Sequence, residues 1–247
     1  MTAYADLDPL EWSRTLRSVE QQVEQSGALE VAGTIVAREL FEHFSGATAL
    51  ARVYAVVPYC DLDPEVTRFV DGLASGSSPP ARLGPTTPVL TLLGTHGVKE
   101  EWCDRRKSAG HRVIPLVSAA FVQKIPMVAR LLKELGVDLA WLDDSPDVSA
   151  RRLLGGFNGV FYVDDAASAQ DAQGRLIIPA QDFVAEQGIK TVFGMGGFYP
   201  DGTLVAIIVF AREHVTKTQV ERLTSLISLF KGQTFGIVRA KRFFGGR

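Results

Sequence analysis

Cys103 lies between two histidines in the pattern His96-x6-Cys103-x7-His111. Imidazole and thiolate are ligands for zinc and haem iron. This spacing belongs to no recognised zinc pattern, so structural or solvent-facing histidines are the plainer expectation. The other cysteine, Cys60, follows an apolar run and precedes Asp61. The two thiols would make a redox pair only if the fold joins them. Asp61 and Asp104 sit beside them, and a neighbouring carboxylate raises a thiol pKa, so two unreactive thiols are expected. No serine sits in a Gly-x-Ser-x-Gly elbow. Gly94-Thr95-His96-Gly97 and Gly194-Met195-Gly196-Gly197 could hold an anion on backbone N–H groups. Neither carries the Lys-Ser/Thr of a P-loop. Strand glycines more often mark a bulge or a close approach. Asp164-Asp165 could take a cation or a ligand amine, or cap the next turn. Arg105, Arg106 and Lys107 could join His111 in an anion site, although charge runs are usually solvated faces.

These residues need a scaffold, and composition bounds it. The chain has 247 residues, 46% apolar and 22% charged, with a formal charge of −2. Those are globular values, and the length suits one large domain with helical additions. A charge of −2 argues against a nucleic-acid partner, which calls for a basic excess. No apolar run approaches the ~20 residues that span a bilayer. The acidic start, MTAYADLDPLEW, lacks the features of a secretory signal. A cytoplasmic protein without membrane or nucleic-acid partners is expected.

Asp8-Pro9 opens a first helix whose Trp12, Leu16, Val19 and Val23 form one apolar seam. A second helix runs from about Ala28 to Phe44. Strands are expected at Ala51–Pro58, Val89–Leu93, Val113–Leu116 and Gly159–Val163. A helix spans Asp63 to Ala74, and Ser75 to Pro88 reads as a loop. The stretch from Thr95 to Arg112 is polar. Ser118 to Leu135 is a helix that Pro126 should kink or break. Asp143 to Arg152 and Asp164 to Gly174 are polar excursions, and Gln181 to Gln187 is a short helix. Thr191–Phe198 and Leu204–Phe210 form a hairpin through Pro200-Asp201-Gly202. A final helix begins at Thr216, capped by Thr216 or by Thr218 with Glu221, and Gly232 stops it. The fold class is α+β: one antiparallel sheet with helices on its faces and an N-terminal helical pair.

The segments Gln187-Gly188-Ile189-Lys190-Thr191-Val192-Phe193-Gly194 and Asp201-Gly202-Thr203-Leu204-Val205-Ala206-Ile207-Ile208-Val209-Phe210, with the helix after them, resemble the end of a GAF domain. The likeness covers about sixty residues. Ala206 stands where the family's second hairpin glycine is usual, and the Asn-Lys-Phe-Asp-Glu signature of cyclic-nucleotide-binding members is absent. The long Ser118–Leu135 helix implies an enlarged, divergent form. The resemblance implies N-terminal helices at 1–46, a GAF-like sensor domain at 47–232 and a basic tail at 233–247. It implies a small-molecule ligand, of unknown identity and with no cofactor named, held between the sheet and the Gly94–His111 region. Its candidate contacts are His96, Trp102, Cys103 and His111, then Tyr162, Asp164 and Asp165 at the third strand, then Phe193 and Met195 on the hairpin. Occupancy would pass through the terminal helices to a signalling partner. The first-helix seam could pack on its own sheet or on a second copy, and a homodimer is expected. The reading is non-enzymatic. Its alternatives are a thiol reductase of the free methionine sulfoxide type, resting on Cys60 and Cys103, and an interaction module with a collapsed pocket.

Overall fold

The structure, a computed structural model, describes residues 2–76, 83–108, 110–143 and 158–245. Residues 77–82 of the expected Ser75–Pro88 loop and 144–152 of the expected Asp143–Arg152 connection lie outside them.

Six strands form one antiparallel sheet in the order β3-β2-β1-β6-β5-β4. They are β1 (Thr48–Pro58), β2 (Pro88–Gly97), β3 (Val113–Pro115), β4 (Asn158–Val163), β5 (Thr191–Phe198) and β6 (Leu204–Ala211). The expected α+β architecture is the one observed. β1, β5 and β6 are covered on both faces, which explains why their sequences read as unbroken apolar runs. The β5–β6 hairpin turns as expected. Gly202 supplies φ +87°, and the Tyr199 amide donates to the Thr203 carbonyl at 2.8 Å.

One sheet face carries the terminal helices. α1 (Pro9–Glu24) starts on Asp8, whose carboxylate accepts from the Leu10 and Glu11 amides at 2.6 and 3.1 Å. Its Trp12, Val19 and Val23 are buried within the chain, so the seam packs on its own fold. α2 (Leu29–His43) lies against β1 and β2 through Ala32, Gly33, Val36 and Leu40. α3 (Pro64–Gly76) buries Val66 and Val70 near β3. The C-terminal helix is two pieces, α7 (Lys217–Glu221) and α8 (Thr224–Arg239). The capping box uses Thr216 and Gln219, not Thr218 and Glu221. Gly232 does not stop the helix. The apolar seam continues through Phe230, Thr234, Ile237 and Val238, and burying it outweighs one exposed glycine.

The opposite face carries α4 (Ala119–Gln123), α5 (Pro126–Glu134) and α6 (Gln181–Gln187). The expected Ser118–Leu135 helix breaks at Ile125, with Pro126 taking the first position of α5. Two cross-strand rows floor this face. One is Phe161, Gly194, Ile208, Arg52 and Thr95; the next is Gly159, Gly196, Ala206, Tyr54 and Leu92. The small residues admit α5. A Cβ at Gly196 would stand 2.7 Å from Leu135 Cδ1, and one at Gly159 would stand 2.6 Å from the Glu134 carbonyl oxygen. Gly196 therefore serves close helix packing, while a Cβ at Gly194 would meet the neighbouring strand at Ile207 and Ile208.

Candidate functional site

The Gly94–His111 region is a packed junction. β2 runs on to Gly97, so His96 is a strand residue, paired with Ala51 on the helix face. Its ring lies 5.0 Å from that of Phe41. Burial holds its pKa below the usual histidine value, which keeps the ring neutral at pH 7. Cys103 Sγ is 3.9 Å from His96 Nε2 and 3.5 Å from the Gly97 carbonyl oxygen. The Cys103 thiol is the donor to that carbonyl. Trp102 points to the opposite face, against Phe183 and under the Lys99 ammonium. The carbonyl of His111 accepts from the Tyr54 hydroxyl at 2.8 Å, while its side chain is exposed.

The other sequence-derived residues lie elsewhere. Phe193 and Met195 are fully buried under the terminal helices. Asp165 accepts from the Ala167 amide and the Ser168 hydroxyl and so caps its own turn. Asp164 is exposed. Tyr162 is half-buried on β4. Among the candidates, His96 meets Cys103, and Tyr162 is the cross-strand partner of Phe193. Among the described residues no cluster of three metal-ligating side chains occurs, and no helix is long and apolar enough to cross a membrane.

The thiols are far apart. Cys103 sits at the Gly97 end of the β1–β2 ladder, and exposed Cys60 follows Pro58 at the other end. At about 3.3 Å per residue the ladder separates its two ends by roughly 25–30 Å. A disulfide needs Cα atoms within about 7 Å. Mild oxidation is therefore expected to leave two thiols per monomer titratable under denaturing conditions. An intramolecular Cys60–Cys103 peptide in a mass-spectrometric digest would overturn this geometry.

Sequence reasoning missed two polar features here. Arg52, in the middle of the sheet, is 6% exposed on the face opposite the terminal helices. It donates to the Tyr54 hydroxyl at 3.3 Å and to Ser108 Oγ at 2.8 Å, fastening the β2–β3 connection to the sheet. Its only signal was a cation within an apolar strand. The second feature is an ion-pair junction. Arg105 Nε donates to Glu30 at 2.7 Å and its Nη2 to Asp63 at 2.7 Å. Arg106 lies 3.4 Å and Arg112 3.0 Å from Glu65. Arg105 and Arg106 are therefore held by carboxylates and not arrayed around an anion. Burial pushes the Asp63 pKa up, but the Val66 amide and Arg105 outweigh it and leave the carboxyl below its usual range.

A concavity lies on the far side of the sheet. An open groove of about 950 Å³ runs between α4–α5 and the segment Gln170–Ile177. Pro126, Ala129, Leu139 and Ile177 give it an apolar floor. Along its rim Arg175 pairs with Asp171 at 2.6 Å, and Arg130 pairs with Glu134 at 2.9 Å. Lys124 and Lys133 also line it, with no carboxylate partner among the described residues. The groove thus carries two cations beyond its internal pairs.

The Arg130–Glu134 pair has a second task. β4 is an edge strand. Glu134 Oε2 accepts from the Tyr162 amide at 2.9 Å, and Arg130 Nη2 donates to the Tyr162 carbonyl at 2.7 Å. Two side chains thereby satisfy the open edge as a neighbouring strand would. The Tyr162 hydroxyl reaches the other way and donates to the Val215 carbonyl at 2.8 Å, one residue before the cap of α7. Burial, with the charge of Asp164, raises its pKa, so it remains a donor. Asn158, on the same strand, bonds Ser228 and Lys231 of α8. One edge strand is clipped to the groove on one side and to the C-terminal helix on the other.

A sheet between terminal helices and a grooved helical cover is the class of architecture that this chain presents. No family model and no curated protein matches the sequence. Among solved structures the chain is similar to the GAF domain of a phosphoenolpyruvate-protein phosphotransferase from Acinetobacter, at 12% identity and TM-score 0.49, covering 98% of this chain and all of that one. It is similar to free methionine-R-sulfoxide reductase from Neisseria meningitidis, at 12% identity and TM-score 0.49, covering 95% of each. A phycoerythrobilin-bound GAF domain from a cyanobacterial phytochrome is similar at 14% identity and TM-score 0.47, over 92% of this chain and 96% of that one.

Proposed function

We propose that this chain is a GAF-like sensory domain that takes a small molecule in the α4–α5 groove and passes its occupancy to the terminal helices through Tyr162. The observation that carries the reading is the Arg130–Glu134 pair. It lines the groove and also grips both backbone groups of Tyr162, whose hydroxyl holds the root of α7. A ligand that draws Arg130 or Glu134 toward itself changes the hold on β4, and β4 is bonded to α8. Arg130 is then a positioning residue on a two-sided element, which is what coupling between sites requires. The apolar floor and the two spare lysines select a ligand with an apolar body and a carboxylate or phosphate. Cytoplasmic action and assembly as a homodimer belong to the same proposal. The dimer would use a surface other than the buried Trp12 seam, and a monomer at micromolar concentration in light scattering counts against it.

The test uses decanoate as probe and decanol as its uncharged control. Saturable calorimetric binding of decanoate, weakened at least tenfold in Lys124→Glu/Lys133→Glu, is expected, since a total loss of ~1.4 kcal/mol is already a factor of ten. Tyr162→Phe should bind equally well but lose the ligand-induced change in hydrogen exchange along α8. Equal binding of decanol removes the charge argument. Absence of binding by any member of a broader carboxylate and phosphate panel favours the interaction-module reading. That reading has one observation behind it: Leu131, Leu135 and Phe161 fill the sheet face beneath the groove.

A further inference from the structure

The last described residues close the fold in an unusual way. α8 ends at Arg239, and Lys241 takes φ +55°, the only non-glycine positive φ among the described residues. The Lys241 amide donates to the Val238 carbonyl at 2.9 Å and the Arg242 amide to the Ile237 carbonyl at 3.0 Å. This is a Schellman turn with lysine where glycine is the usual choice. The chain then doubles back across the start of α2. Ala28, which precedes α2, offers no side-chain cap. The carbonyls of Arg242 and Phe243 accept instead from the Leu29 and Glu30 amides, each at 2.9 Å. The tail thus serves as the N-cap of a helix some two hundred residues earlier. Phe243 is buried, and Lys241 Nζ lies 3.0 Å from Asp61.

The tail also touches the ion-pair junction. The Phe244 ring lies 5.2 Å from the Arg105 guanidinium carbon. Glu30 is shared between them: Oε1 accepts from Arg105 Nε, and Oε2 accepts from the Gly245 amide at 3.2 Å. Arg105 in turn belongs to the β2–β3 connection that Ser108 fastens to Arg52 inside the sheet. We propose that residues 241–245 form a strap that the fold releases as one unit, and that seating the strap and closing the Arg105 junction favour each other. The strap turns on a backbone position that resists lysine and joins no strand of the sheet, so it opens without global unfolding. Loosening the connection between β2 and β3 is then read out at the C-terminal end of the domain, and a partner that takes hold of the strap loosens the connection. This inference stands apart from the groove and does not need a ligand.

Hydrogen exchange on the whole chain tests it. Lys241→Pro forbids the positive φ and removes the Lys241 amide and its pairing with Asp61, while leaving the contact residues 242–245 in place. It is expected to speed exchange at the Leu29 and Glu30 amides at least tenfold, and at the Ser108 amide of the junction as well, with Ile208 in the sheet unchanged. From the other side, Arg105→Lys keeps the charge but loses the fork that grips Glu30 and Asp63 together. It should speed Leu29 and Glu30 more than Ile208. Coupling is overturned if Lys241→Pro leaves Ser108 protected. The strap as a unit is overturned if Leu29 and Glu30 exchange no faster than Ile208 in either variant.

Discussion

Gly94→Ala is expected to leave little folded protein. A methyl group on this residue would overlap the carbonyl of Gly33 and the amide nitrogen of Thr34. Both are backbone atoms of a helix, so no rotamer change relieves the clash. Gly33 and Gly94 face each other where α2 crosses β2, next to a bulge that places Leu93 between the pairs Val53–Gly94 and Tyr54–Leu92. Moving α2 away would open the contacts of Ala32, Val36 and Leu40 with the sheet. Overpacking a core costs ~1–3 kcal/mol when side chains can shift, and more when backbone must move. A loss above about 3 kcal/mol is a large part of a total of roughly 5–15 kcal/mol. The contrast is Gly232→Ala, in mid-helix with nothing within 4 Å of its added methyl. That change should stabilise by ~0.5–1 kcal/mol, the usual preference of a helix interior for alanine. Urea unfolding of the two variants decides the matter. A Gly94→Ala midpoint near that of the parent would show that α2 is not seated by this contact.

The same glycines mark how far the sequence could be read. The hairpin from Thr191, the Asp8 cap and the Pro126 break were legible because each depends on residues within a few positions. The Gly94–Gly97 cluster read as a possible anion loop, and only the helix that arrives from sixty residues earlier makes it a close approach. Gly232 misled because a glycine after an apolar stripe is the ordinary stop signal, whereas the stripe here resumes at Thr234 and Ile237. The groove was invisible, since its walls come from α5 and from Gln170–Ile177, forty residues apart. Tyr162 was named as a ligand contact from the resemblance. Its bonds to Glu134, Arg130 and Val215 come from elements distant in the chain, so no local pattern signals them. The run Arg105-Arg106-Lys107 read as a solvated face because Glu30 and Asp63, which hold Arg105, lie on distant elements.

Arg105→Met should therefore cost far more than a surface arginine would. The Arg105 side chain is 6% exposed, and its partners Glu30 and Asp63 are 12% and 15% exposed. Removing the cation leaves two largely buried carboxylates uncompensated, apart from Arg106 at 3.7 Å from Glu30. Breaking such a pair from one side typically costs ~3–5 kcal/mol. The pH dependence gives the cause away. In the parent, Asp63 has a folded pKa below its unfolded value, so its contribution is complete above about pH 4 and is lost as the pH falls through the folded value. In the variant the influence of Arg105 on Asp63 is gone while burial and the Val66 amide remain, so the Asp63 pKa lies above its value in the parent. The parent therefore loses more stability than the variant as the pH falls from 5 toward 3. The deficit against the parent should be smaller at pH 3 than at pH 7, by ~1.4 kcal/mol for each unit between the two Asp63 pKa values. Urea unfolding at the two pH values measures this directly. A deficit that is equal at pH 7 and pH 3 would mean that Arg105 acts through packing against Phe244 and not through the charge of Asp63.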